Sequence, residues 1–373
     1  MSPKGPLHFL FLLCCLLALA VSPAAPQDNA ATHFNRGNAL YDKGDLNAAI
    51  AEYREALRLR PNSSHVHAVL GAVLAEKGDL DGGIAEYREA LRLQPNNAMW
   101  HNNLGLALGM KGDLDGAIAQ SREAVRIQPN YAEAHFNLGY ALANKGILDG
   151  AIAEFREALR LQPNHPGARI NLGNVLAKKG GLNDAIAEFR EALRLQPNYA
   201  DAHYNLGAAL GEKGDVDGAI AEYREALRLQ PGHAEAHFQL ARTLESKGDL
   251  DGAIAQYREA DRLQPGLPGS HNNLGLVLER KGDLDGAIAE YREALRLKPD
   301  LARAHYNLAA VLLVKGDLFG AITEYREALR LQANNADAHY NLAVALAAQG
   351  NKEEAAREFA EAQRLNPKLK PPQ

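Results

Sequence analysis

The chain has 373 residues and a formal net charge of −5 at pH 7, with 46% hydrophobic and 23% charged residues. This balance is ordinary for a folded protein, and no basic excess favours nucleic acid or an acidic membrane surface as a partner. The two cysteines, Cys14 and Cys15, both lie near the N-terminus. Disulfide bonds therefore cannot hold the rest of the chain together, and stability must come from buried apolar area.

The first 25 residues differ from everything that follows. Lys4 precedes residues 7–21, which are apolar apart from His8, and small residues come next. A basic start, a short apolar centre and a small-residue end are typical of a secretory signal peptide. The apolar run is short for a membrane span, so we expect cleavage, with an uncleaved N-terminal anchor as the alternative. Both alternatives predict an exported protein that is periplasmic, secreted or tethered on the outer side of a membrane.

A short tether, residues 26–29, leads into a sequence that repeats every 34 residues. One proline marks the period, at Pro61, Pro95, Pro129, Pro163, Pro197, Pro231, Pro265, Pro299 and Pro367, with Ala333 in its place once. With this proline as position 32, the units are 30–63, 64–97, 98–131, 132–165, 166–199, 200–233, 234–267, 268–301, 302–335 and 336–369, followed by a tail, 370–373. A period of this length predicts stacked units, since each unit can bury its apolar face only against a neighbour.

The unit at 200–233 illustrates the local structure that every unit is expected to adopt. Leu206 and Leu210 begin a run of apolar residues at spacings of three and four, which predicts a helix. Gly214 interrupts the run and suits the left-handed turn beyond a helix end. The apolar spacing then resumes until Pro231, which cannot continue a helix interior. Each unit is therefore predicted to be a hairpin of two helices.

The order of these residues carries a family resemblance. Leu-Gly, then Leu, then Gly, then Ala, Tyr or Phe, Ala and Pro recur at fixed offsets in the ten units. This signature resembles the tetratricopeptide repeat family. The resemblance implies an all-α fold, a right-handed superhelix or α-solenoid of ten helix-turn-helix repeats, whose first helices line a concave surface that binds protein or peptide partners.

Position 6 of the repeat is asparagine in eight units: Asn35, Asn103, Asn137, Asn171, Asn205, Asn273, Asn307 and Asn341. Helix propensity gives no reason for this choice, but an amide both donates and accepts hydrogen bonds. The Ala-His-x-Asn-Leu-Gly block resembles the repeats of the O-linked N-acetylglucosamine transferases, where such an asparagine ladder binds the backbone of substrate peptides. The resemblance implies the same role here. The alternative is that these amides only form hydrogen bonds within the wall of the array.

Histidine recurs at position 4 in nine units, with Arg169 as the exception. Equivalent histidines are one helix pair apart, whereas a zinc ion needs several nitrogens within about 2.1 Å of one point. The sequence therefore predicts no metal site, and it favours a flat ring that packs between units. If these rings are neutral, acid should destabilise the array as they become protonated.

Repeats seven and eight contain the main irregularity. Asp261 occupies a position that is leucine or valine in the other internal units, and residues 266–270 crowd glycine, proline and serine into the junction. Such breakers indicate either a tolerated defect or a hinge.

Catalysis finds little support in the sequence. Serine and threonine residues fall at unrelated offsets without a recurring base, and no phosphate-binding loop or metalloprotease motif is present. The transferases carry a large catalytic region after their repeats, whereas this chain ends at Gln373. We therefore expect no enzyme activity, no catalytic residue and no cofactor.

The predicted function is an exported scaffold that binds an extended peptide or partner segment in the concave groove. We expect no nucleic acid partner, and membrane contact only through an uncleaved N-terminal segment. Two alternatives remain: a self-assembling structural array, and a repeat array related to the transferases without catalytic activity of its own.

Overall fold

The computed structural model describes residues 29–370, so the expected signal peptide and most of the tether lie outside the described part. Every regular element within it is an α-helix. The helices are α1 (Asn29–Asp42), α2 (Leu46–Leu59), α3 (Ser64–Lys77), α4 (Leu80–Leu93), α5 (Ala98–Lys111), α6 (Leu114–Ile127), α7 (Ala132–Asn144), α8 (Leu148–Leu161), α9 (Pro166–Lys178), α10 (Leu182–Leu195), α11 (Ala200–Lys213), α12 (Val216–Leu229), α13 (Ala234–Lys247), α14 (Leu250–Leu263), α15 (Pro268–Lys281), α16 (Leu284–Leu297), α17 (Ala302–Val314), α18 (Leu318–Leu331), α19 (Ala336–Gln349) and α20 (Lys352–Leu365). The all-α class and the ten helix pairs expected from the sequence are confirmed.

The helices form two compact units that divide between Gln196 and Pro197. The first unit contains α1 to α10 and the second contains α11 to α20. Within each unit, the two helices of a repeat pack against each other, and the second helix of a repeat also packs against the first helix of the next. Each hairpin thus covers an apolar face of its neighbour, as a stacked array requires.

A glycine and an aspartate form the turn inside a typical hairpin. Gly214 ends α11 with a φ of 91°, and the turn glycines of all ten repeats have φ between 80° and 96°. Glycine suits this left-handed conformation because it has no Cβ to clash with the backbone. Asp215 follows, and its Oδ1 accepts a hydrogen bond from the backbone N–H of Gly218 at 2.9 Å. This cap satisfies a free donor at the start of α12.

Close approach of the two helices depends on a contact between a glycine and an aromatic ring. A Cβ atom added to Gly207 on α11 would lie 2.9 Å from Cδ1 of Tyr223 on α12. Tyr223 is only 3% exposed, and Ala219 and Ala226 beside it on the same helix are fully buried. The small residues let the helices meet, while the ring fills the remaining space. In the third repeat the buried Ser121 takes the place of this ring.

We expect Tyr223→Ala to lower the free energy of unfolding of the repeat at 200–233 by about 3–5 kcal/mol, because it leaves a cavity between α11 and α12. Native-state hydrogen exchange of the amides in both helices measures this loss. Ser121→Ala is the matched control at the same repeat position, and should cost at most about 1.5 kcal/mol. Equal losses in the two variants would contradict the role given to the ring.

Candidate peptide-binding surface

The first helices of successive repeats form the inner row of each unit. In the first unit α3 contacts α5, α5 contacts α7 and α7 contacts α9, and in the second unit α11 contacts α13, α15 contacts α17 and α17 contacts α19. Within residues 29–370, the second helices of successive repeats do not contact each other to a comparable degree. The first helices therefore lie closer together than the second helices, and their outward-facing side chains share one surface.

All eight asparagines of position 6 lie on first helices, but their exposure differs. Asn35 is exposed, and Asn137 and Asn307 are buried, each 8% exposed. The half-buried members are Asn103, Asn171, Asn205, Asn273 and Asn341. Residues with the same position in the repeat are thus unequally accessible to a ligand.

Neighbouring repeats explain the two buried asparagines. Nδ2 of Asn137 donates to Oδ1 of Asn102 at 2.9 Å, and Nδ2 of Asn307 donates to Oδ1 of Asn272 at 3.0 Å. Both acceptors are buried and lie at position 5 of the preceding repeat. These amides link successive hairpins, which is the alternative role that the sequence left open. The Asn-Asn doublets at 102–103 and 272–273 were the available signal for this link.

Other position-6 amides do not take part in buried amide pairs between repeats. Nδ2 of Asn341 donates to the hydroxyl of Tyr306 at 3.1 Å, and Nδ2 of Asn171 donates to the carbonyl oxygen of Gly167 at 2.9 Å. In the described part of the chain, no hydrogen bond engages the side chains of Asn35, Asn103 or Asn205. Asn103 on α5 and Asn205 on α11 therefore keep both amide groups available.

Exposed apolar side chains lie on the same helix face as the asparagines. Met110 on α5 and Tyr140 on α7 are exposed, at positions 13 and 9 of their repeats. Positions 6, 9 and 13 are separated by three and four residues, so they lie on one side of a helix. The contacting helices α5 and α7 thus carry a free amide at Asn103 and two exposed apolar side chains, a combination that the sequence analysis did not single out.

Histidine at position 4 forms a second link between repeats, which we call the position-4 bridge. Nδ1 of His305 lies 2.5 Å from Oε2 of Glu324 on α18, and Nε2 lies 2.9 Å from the carbonyl oxygen of Pro299 in the preceding repeat. When Glu324 is ionised, both partners can only accept hydrogen bonds, so both ring nitrogens must donate and the bridge favours the protonated ring. The same two contacts, with a glutamate and with a carbonyl at position 32, occur at His67, His135, His203 and His339.

Arg169 occupies the same place in the fifth repeat. Its Nη1 donates to Oε2 of Glu188 at 2.8 Å and its Nη2 donates to the carbonyl oxygen of Pro163 at 3.1 Å, so a permanent cation makes the same bridge. Burial lowers the pKa of His305, but the hydrogen bonds to Glu324 and Pro299 outweigh it, and the net pKa is raised. The raised pKa gives acid the opposite effect at His305 from the destabilisation expected for neutral rings.

The bridge of His305 should stabilise the second unit in mild acid. Its folded-state pKa is raised, so its contribution is complete below the unfolded value of about 6.5 and is lost as pH rises through the folded value. Glu324 and Glu327 are the acidic groups that face the ring. We expect amide protection in α17 and α18 to fall with rising pH, measured by hydrogen exchange between about pH 5.5 and 8.5.

His305→Arg is the matched variant for this measurement, because Arg169 already occupies position 4 in the fifth repeat. A guanidinium keeps its charge across the whole range, so the fall should flatten. Identical pH profiles for the native chain and the variant would contradict a charged ring at His305.

Comparison with known proteins assigns the repeat sequence to a family. A TPR repeat model matches residues 37–78, 71–112, 174–214, 280–316 and 314–350. Two tetratricopeptide repeat models match residues 102–166 and 209–268, and residues 336–369. The chain belongs to the tetratricopeptide repeat family. Proteins built from tetratricopeptide repeats bind protein or peptide partners, and such arrays generally act as interaction scaffolds rather than as catalytic domains.

Solved tetratricopeptide repeat structures share this fold. A tetratricopeptide repeat protein from Parabacteroides merdae is 16% identical over 68% of this chain and 100% of its own, with a TM-score of 0.54. MamA is 30% identical over 44% of this chain and 97% of its own, with a TM-score of 0.42. YrrB, described as a TPR protein with an unusual peptide-binding site, is 23% identical over 52% of this chain and 97% of its own, with a TM-score of 0.43. A search of curated protein sequences gave no match.

Among the helices of residues 29–370, none combines the length and the apolar character that crossing a bilayer requires.

Proposed function

We propose that this protein is an exported scaffold that binds an extended peptide, or an extended segment of a partner protein, along its inner row of first helices. The observation that carries the proposal is the accessible amide at position 6, which is half-buried in five repeats and, within residues 29–370, free of internal hydrogen bonds at Asn103 and Asn205. A half-buried amide has a defined orientation and still reaches a ligand. No catalytic step is part of the proposed function.

Peptide backbone is the chemistry that suits this row. Each residue of an extended peptide offers one N–H donor and one carbonyl acceptor, and a primary amide offers both complementary groups. Amides presented at equivalent positions of successive repeats can therefore bind main chain with little dependence on the sequence of the peptide. The buried pair Asn137 and Asn307 supports this row indirectly, because their bonds to the preceding repeat hold the helices in register.

Side chains around the amides indicate which peptides bind best. In the first unit, Met110 on the same helix as Asn103 and Tyr140 on the contacting helix α7 supply exposed apolar surface. In the second unit, the exposed Asp201 and Glu212 on α11 surround Asn205 with negative charge. We expect peptides that combine apolar side chains with a neutral or positive net charge to bind more tightly than acidic peptides.

Loss of a single free amide should weaken peptide binding. We expect Asn103→Ala and Asn205→Ala each to reduce the affinity for peptides selected against the full chain by about tenfold, because one or two hydrogen bonds are lost. Fluorescence anisotropy with labelled peptides measures the change. Asn164→Ala, in an exposed position of the loop after α8, is the matched control and should leave affinity unchanged.

The same peptides can show whether the backbone is the part that is recognised. N-methylation of alternate peptide bonds should reduce binding more than scrambling the order of the side chains. Methylation removes the backbone N–H groups that donate hydrogen bonds to the asparagine side-chain oxygens. Unchanged affinity after both asparagine substitutions, or greater loss on scrambling, would contradict the proposal. Particle growth with concentration in light scattering without peptide would instead favour the self-assembling array.

Export is the part of the proposal that rests on sequence alone. Residues 1–25 have the composition of a signal peptide, whether or not it is cleaved. We expect residues 1–28 to deliver a fused reporter that is active only outside the cytoplasm. Replacing the central apolar residues with serine should retain the reporter inside, and secretion that persists after this change would contradict the assignment.

A further inference from the structure

Three polar side chains from three consecutive helices converge where the seventh repeat meets the eighth. Asp261 lies near the end of α14, His271 in the first turn of α15 and Glu290 in the middle of α16. Nδ1 of His271 is 2.7 Å from Oε2 of Glu290 and 3.8 Å from Oδ2 of Asp261. One nitrogen and two carboxylate oxygens thus lie within 4.8 Å of one another.

Asp261 is an unusual residue for its place in the stack. The equivalent residues of the adjacent repeats are Leu227 and Leu295, which have no polar side-chain atoms. The Asp261 side chain is only 13% exposed, and its Oδ1 is buried without a hydrogen-bond partner. Burying an unpaired carboxylate oxygen is costly unless the carboxyl is protonated or a cation compensates for it.

Ser270 places a second unpaired polar atom at the same point. It is 1% exposed, and the adjacent repeats have Ala236 and Ala304 at this position. Burial raises the pKa of Asp261, and the Ser270 hydroxyl is close enough to offset part of this effect. Yet neither Oγ of Ser270 nor Oδ1 of Asp261 completes a hydrogen bond of normal geometry. Both oxygen atoms are therefore buried in a strained or incomplete contact rather than in a regular hydrogen bond.

His271 departs from the position-4 bridge in the way that this cluster requires. In the repeats on either side, Nε2 of His237 and of His305 contacts the carbonyl oxygen of residue 32 in the preceding repeat. Within the described residues, no such contact joins His271 to Pro265, where Gly266 turns the chain with a φ of 96°. The imidazole is therefore directed by the two carboxylates rather than by the preceding backbone.

We infer that Asp261, His271 and Glu290 bind one divalent transition-metal ion, with zinc as the best-suited ion and Ser270 or water completing its coordination. One imidazole, which must lose its proton when the ion binds, and two carboxylates match the ligands that zinc takes in proteins, at about 2.0–2.2 Å each. Tetrahedral ligands at that distance lie roughly 3.3–3.6 Å apart, between the 2.7 and 3.8 Å separations observed here. Small side-chain movements are sufficient, and a nitrogen ligand favours zinc over calcium or magnesium.

The site differs from the one that the sequence argument excluded. Histidines of successive repeats are too far apart to share an ion, but this site uses a single histidine and takes its other ligands from α14 and α16. The bound ion would join three helices across the junction that contains Gly266 and Pro268. It would replace the apolar contact that leucine makes at the position of Asp261 elsewhere.

Titration of the chelator-treated full chain with Zn²⁺ alone tests this inference. We expect one ion per chain by calorimetry, and at least about tenfold weaker binding in Asp261→Leu. This variant restores the leucine of the adjacent repeats, so it should fold. Zn²⁺ should raise the thermal midpoint of the second unit in the native chain and not in the variant. Co²⁺ should produce visible absorption that also disappears in the variant.

His305→Gln is the matched control, because His305 and Glu324 form the equivalent pair in the next repeat, with Leu295 in place of the aspartate. Its affinity for Zn²⁺ should equal that of the native chain. Binding that is unchanged by Asp261→Leu, equally reduced by both substitutions, or absent from the native chain would overturn the inference. Each of these results is independent of peptide binding, so the two proposals can fail separately.

Discussion

A two-helix hairpin of this length has apolar surface on both sides, and only another hairpin can cover it. The same contact recurs inside the hairpins. A small residue on the first helix, such as Gly207, leaves space for an aromatic ring on the second helix, such as Tyr223. Each hairpin packs mainly on its neighbours, so stability is set locally. The inner row of first helices, and any ligand surface on it, exists only because this stacking continues along each unit.

Polar contacts fix how neighbouring hairpins align, because apolar packing alone has little directional preference. The position-4 bridge connects a first helix to its own second helix and to the preceding repeat through an imidazole ring or, at Arg169, a guanidinium. The Asn137–Asn102 bond performs a related task deeper in the wall. Repetition of a polar residue is therefore not in itself a sign of ligand binding, because some copies serve the stack and others remain available.

Departures from the repeat are informative in an array where most positions recur. Ser121 replaces an aromatic ring and brings no charged group into the core, so this substitution affects only packing. Asp261 and Ser270 instead bring unpaired oxygens into a buried junction beside an imidazole and a second carboxylate. A buried carboxylate oxygen needs compensation, whereas a smaller apolar contact does not, which is why the second departure points to a ligand and the first does not.

The sequence by itself determined the helix pairs and the turns of this protein. Apolar spacing, the turn glycines and the capping aspartates act within a few residues, so the period of 34 residues was sufficient to predict them. Only the tertiary structure distinguished Asn103 from Asn137, whose partner is a side chain 35 residues earlier in the adjacent repeat. It also decided the direction in which the pKa of His305 shifts, which depends on a glutamate and a carbonyl from separate segments. Exposure and protonation are set by neighbours in space, and a repeated sequence gives identical residues different neighbours.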